Sequence, residues 1–142
     1  MKYELPIIEI LQANDPAIAG KVFVPPTEIQ NMGFISLLEK NDAQAKLYSS
    51  AEMDVVIVPG LYIDRQGHRL GKGKGWYDQL LVKSSRVFLE ADNSSFASLP
   101  QTIFVGYHWQ FVNSLPYEAH DIRIMYFVSE KEILSFIDPN EY

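Results

Sequence analysis

Residues 54–60 read DVVIVPG, four consecutive β-branched residues closed by a Pro-Gly pair. A β-branched side chain is stiff in a helix and packs well on a pleated surface, so a strand is expected over Asp54–Val58. Pro59 and Gly60 end it. Its apolar residues form a run instead of alternating with polar ones, which is the pattern of a parallel strand covered on both faces. Lys21–Val24, Thr102–Tyr107 and Ile122–Val128 are further strand candidates. Helices are expected over Leu5–Ala13, where Ile7, Ile8, Ile10 and Leu11 share one side, and over Trp76–Val82, where Leu80 and Leu81 are available to a sheet. A third helix is expected over Glu130–Ile137, with Ser129 as its N-cap and Glu132 as the capping-box partner. The segment from Ser84 to Ser98 is serine-rich and reads as a connector. Strands alternating with helices imply an α/β fold, a three-layer sandwich with a mainly parallel, Rossmann-like sheet. The 142 residues are expected to form a single domain, 1–142, and a chain of this size buries roughly 70% of its unfolded surface.

Twelve Lys and Arg stand against eighteen Asp and Glu, a net charge of −6 that repels nucleic acid and anionic membranes. Any anion site must therefore be local. Arg65, Arg69, Lys72 and Lys74 supply four of the twelve basic residues within ten positions. No cysteine is present, which removes disulfides, thiolate metal sites and a cysteine nucleophile. No apolar run approaches the ~20 residues of a membrane helix, and a soluble, cytoplasmic protein is the expectation.

The basic cluster follows the DVVIVPG strand in the stretch Arg69–Asp78, RLGKGKGWYD. In open α/β sheets, ligands collect beyond the carboxyl ends of strands. Gly71, Gly73 and Gly75 let the backbone approach a ligand and turn its N–H groups inward, while Lys72 and Lys74 add charge. A phosphate-bearing ligand fits all of these features. The spacing matches neither G-x-x-x-x-G-K-[ST] nor G-x-G-x-x-G, so the two common nucleotide signatures are excluded. A flexible surface loop with solvated lysines is the plainer alternative. Asp78 reads either as a magnesium ligand beside bound phosphates or as an acid complementing a helix dipole. Trp76 and Tyr77 suit stacking on a flat heterocycle or packing in a core. His68, His108 and His120 have no metal-ligand spacing and read as ordinary polar residues.

With these residues placed, the chain resembles the 5-formyltetrahydrofolate cyclo-ligase family, also called 5,10-methenyltetrahydrofolate synthetase. The strongest match is DVVIVPGLYIDRQGHRLGKGKGWYDQLL, in which a PGL strand end, Asp64, Gly67 and then Arg69 to Asp78 follow the family's order. Asn31-Met32-Gly33-Phe34 resembles the family's M-x-F segment, and VGYHWQFVNSLPYEAHDIRIMYFVSE its closing block.

This resemblance implies an ATP- and magnesium-dependent enzyme that converts 5-formyltetrahydrofolate to 5,10-methenyltetrahydrofolate and releases ADP and phosphate. It assigns phosphoryl stabilisation to Arg69, Lys72 and Lys74, and ATP contacts to these three with Leu70, Gly71, Gly73, Gly75, Trp76 and Tyr77. Folate contacts fall on Glu4, Met32, Lys72, Gly73, Lys74, Gly75 and Trp76. Asp78 and Asp121 would hold magnesium. The expected partners are the folate and ATP, with no nucleic acid and no membrane. The family's basic N-terminal helix and first strand have no counterpart ahead of Glu4, and AKLYSSAEM stands in place of its G-I-x-E-P stretch. A second expectation is therefore a divergent homologue that binds folate or nucleotide phosphate without turnover.

Overall fold

The apolar run at residues 54–58 does form a strand. The computed structural model describes residues 7–15, 17, 21–24, 33–39, 41–49, 52–73, 75–81, 100–119 and 121–136. Its elements are α1 (Ile7–Asn14), β1 (Phe23–Val24), β2 (Ile35–Ser36), β3 (Val55–Ile57), β4 (Tyr62–Asp64), β5 (Arg69–Leu70), α2 (76–81), β6 (Gln101–Val105), β7 (Phe111–Val112), β8 (Tyr126–Val128) and β9 (Ile133–Ser135).

The principal sheet has the order β3-β6-β8-β9. β3, β6 and β8 run parallel, and β9 is antiparallel to β8. The fold is therefore α/β with a mainly parallel sheet, as expected. A second sheet, β5-β4-β7, is built from residues outside every strand expected from the sequence. β4 and β5 form an antiparallel hairpin, with Tyr62 opposite Leu70 and Ile63 opposite Arg69, and β7 lies parallel to β4.

One contiguous core joins the two sheets and α2. Val56, Phe104 and Phe127 of the principal sheet, with Val58 just past β3, meet Ile63 of the second sheet, Leu80 and Leu81 of α2, and Phe34 and Ile124. Phe104 and Phe127 pack edge to face at 5.7 Å, and Phe111 stacks on Phe127 at 5.7 Å, contacts that add to the burial itself.

Three sequence expectations need correction. The segment Lys21–Val24 does contribute a strand, but β1 pairs antiparallel with β2 and stands outside the principal sheet. β3 is not covered on both faces: Val56 is buried while Val55 and Ile57 are exposed. The second sheet and α2 share the face that carries Val56, Val58 and Phe104, which explains the asymmetry.

The helix expected over Glu130–Ile137 is absent from its described part, because Ile133–Ser135 is β9. The Ser129 hydroxyl does accept the amides of Lys131 and Glu132, each at 3.2 Å, as an N-cap would. Here that chemistry closes a turn, with the Ser129 amide bonded to the Glu132 carbonyl at 3.0 Å. The open edge of β8 then supplies a ladder, and Leu134 packs on the core. Tertiary pairing outweighs a local capping signal that both conformations satisfy.

Candidate functional site

Two connectors leave the carboxyl ends of the neighbouring strands β3 and β6, and one side chain joins them. Gln110 is buried; its amide nitrogen donates to the carbonyls of Gly60 (3.3 Å) and Leu61 (3.1 Å), and its oxygen accepts the Tyr107 amide at 2.8 Å. A satisfied buried amide of this kind fixes both backbones. The first connector runs from Pro59 through the β4–β5 hairpin to α2 and carries the glycine motif.

The hairpin turn is organised by Asp64. Its Oδ1 accepts the amides of Gln66 (2.9 Å) and His68 (3.0 Å), and its Oδ2 accepts Nδ1 of His68 (3.1 Å) and the Leu115 amide (3.0 Å). Burial pushes the Asp64 carboxyl up, but these bonds together outweigh it and hold its pKa below the ordinary value. His68 is buried against Asp64 and stacks on Tyr117 at 3.8 Å with planes 6° apart. Sequence reasoning placed Asp64 only within a motif, read His68 as ordinary and passed over Gln110. Asp64-Arg-Gln-Gly67 does carry a turn signal, an acid at the first position and glycine at the fourth.

At the other end of β5, Arg69 turns back. Nη1 donates to the Pro59 carbonyl at 2.8 Å and Nη2 to Oδ2 of Asp78 at 3.2 Å. Arg69 and Asp78, expected in separate roles, thus form an ion pair. Gly73 and Gly75 have φ of 86° and 61°, a region that disfavours any side chain. A Cβ built on either would meet no described residue within 4 Å, so among the described residues space is open beside that backbone. Lys72 and Gly73 are exposed. Trp76 and Tyr77 both pack against the core, edge to face with each other at 4.8 Å. Leu70 is exposed on β5 and pairs with Tyr62.

Asp121 closes a different turn: its Oδ2 accepts the Glu118 amide at 2.8 Å, and its own amide donates to the Glu118 carbonyl at 3.0 Å. Farther along that segment, Arg123 Nε donates to the Gln66 carbonyl and the Ile124 amide to that of Gly67, both at 2.8 Å. The segment carrying Asp121 is therefore bonded to the hairpin turn, and Asp78 to the base of β5. Among the described residues no group of three or more His, Asp or Glu side chains could hold a metal. Asp78 Oδ1 keeps no protein partner among them, and one such oxygen suits magnesium, which completes its shell with water and phosphate oxygens. Glu4, Met32, Lys74 and His120 lie outside the described residues. No helix among the described residues is long and apolar enough to cross a membrane.

A family model described as the 5-formyltetrahydrofolate cyclo-ligase family matches residues 11–130. A 5-formyltetrahydrofolate cyclo-ligase of Mus musculus is 28% identical over 88 residues, covering 60% of this chain and 38% of that protein. One from Mycolicibacterium smegmatis is 32% identical over 80 residues, covering 56% of this chain and 35% of the relative. The chain thus spans less than half the length of either. The solved structure of a 5,10-methenyltetrahydrofolate synthetase from Aquifex aeolicus superposes over 95% of this chain and 67% of its own, with a TM-score of 0.64 at 20% identity. That likeness establishes the fold.

Proposed function

The chain belongs to the 5-formyltetrahydrofolate cyclo-ligase family, and on that premise we propose that it catalyses the ATP- and magnesium-dependent cyclisation of 5-formyltetrahydrofolate to 5,10-methenyltetrahydrofolate. The observation that carries this reading is the backbone from Gly71 to Gly75. It lies between Arg69 and Asp78, which pair with each other, and bears two glycines beside which no described residue would meet a Cβ within 4 Å.

In the proposed reaction the formyl oxygen takes the terminal phosphoryl group of ATP and ADP departs. The nitrogen at position 10 then attacks the activated formyl carbon and loses its proton, and the carbon–oxygen bond breaks to release phosphate. Phosphoryl transfer asks a protein chiefly for positioning and charge stabilisation. Lys72, Lys74 and the amides of the glycine loop supply both. Asp78, through Oδ1, is the described residue best suited to magnesium, with Asp121 as the second carboxylate. Magnesium, when bound, neutralises charge on the phosphate oxygens. Trp76 is assigned to ATP and to the folate, and Glu4 and Met32 to the folate.

Mixing the purified chain with 5-formyltetrahydrofolate, ATP and magnesium is expected to produce an ATP-dependent rise in methenyl-folate absorbance. Measurable binding of both ligands with no rise would favour a homologue that binds without turnover.

A further inference from the structure

Arg69 makes both of its directed contacts to protein. Its side chain is only 8% exposed. One arm of the guanidinium reaches the Pro59 carbonyl, where the chain leaves β3, and the other reaches Asp78 in the first turn of α2. The Tyr77 ring lies 6.0 Å from its Cζ. A single planar fork therefore spans both ends of the excursion that carries the glycine motif, a geometry that a lysine point charge does not reproduce.

Gly71 explains how the fork is accommodated. Unlike Gly73 and Gly75, it does not have a positive φ, so its backbone does not itself require glycine. A Cβ there would instead sit 2.5 Å from Nη1 of Arg69, with Cζ and Nη2 at 3.4 and 3.5 Å. The three nearest atoms all belong to that one guanidinium. Alanine at 71 would displace the end of the Arg69 side chain, and the displaced arm would be the one bonded to Pro59.

We propose that Arg69 is a positioning residue, a latch between Pro59 and Asp78 for which Gly71 is the required vacancy, and that it acts on the phosphate-bearing ligand by fixing the Gly71–Gly75 backbone and the Asp78 carboxylate. This rests on the ATP site proposed above. The latch engages Oδ2 of Asp78 and leaves Oδ1 without a partner among the described residues, and it neutralises a carboxylate that would otherwise repel phosphate.

The test compares Arg69→Ala, Arg69→Lys, Gly71→Ala and the Arg69→Ala/Gly71→Ala double variant, measuring the Kd for ATP with magnesium by titration calorimetry and the thermal midpoint. Gly71→Ala is expected to raise Kd about tenfold in the otherwise native chain and less than about twofold once Arg69 is alanine, a non-additivity typical of contacting residues. The midpoints follow the same pattern. Arg69→Lys, which keeps the charge and loses the fork, behaves like Arg69→Ala. Equal effects of Gly71→Ala in both backgrounds would overturn the latch. Near-native binding by Arg69→Lys would overturn the positioning role and indicate a direct charge contact with phosphate. A native chain that binds no ATP contradicts the function proposed above, and the midpoint cycle then decides the latch by itself.

Discussion

A buried carboxylate that accepts four hydrogen bonds, as Asp64 does, is worth most while it is charged. Its folded pKa lies below the unfolded one, so its stabilisation is complete above the unfolded value of about 4 and is lost as pH falls through the folded value. Asp64→Asn turns an N–H₂ toward donors and is expected to cost ~1.5–3 kcal/mol at neutral pH. In denaturant titrations the gap between native and variant should narrow below pH ~4. A gap of constant size from neutral to acid pH would contradict the assignment. Arg69 and Asp78 were legible as members of a motif because their spacing is local, but their mutual pairing was not, since it depends on a side chain folding back across nine positions.

At the scale of elements, legibility followed how much of the signal was local. β3 was readable because four β-branched residues and Pro-Gly bound it without outside help. The β4–β5 hairpin was not, because two and three residues per strand carry too little periodicity to outweigh their polar surroundings. β9 was misread because Ser129 and Glu132 satisfy a helix start and a turn equally well. Substituting the exposed Ile133 separates the two conformations. In a strand, Ile133→Ala should destabilise by ~0.5–1 kcal/mol, whereas in a helix alanine is the better former. Equilibrium unfolding of that variant reads the sign, and stabilisation would contradict the hairpin.

For the whole molecule, the contrast between a net charge of −6 and a compact basic stretch was visible in composition and remains the reason to look for one local anion site. Composition does not reveal that the strand ends around this stretch are joined by Gln110 to residues fifty positions away. Such long-range contacts are set by chain topology, which the solved relative shares. In the proposed function, ATP cleavage is coupled to closure of the folate ring. The most direct measurement is quantitation of ADP, phosphate and 5,10-methenyltetrahydrofolate from one reaction at neutral pH. Equal amounts of all three are expected, and none without ATP. ADP and phosphate released without methenyl product, or methenyl product formed without ATP, would contradict it.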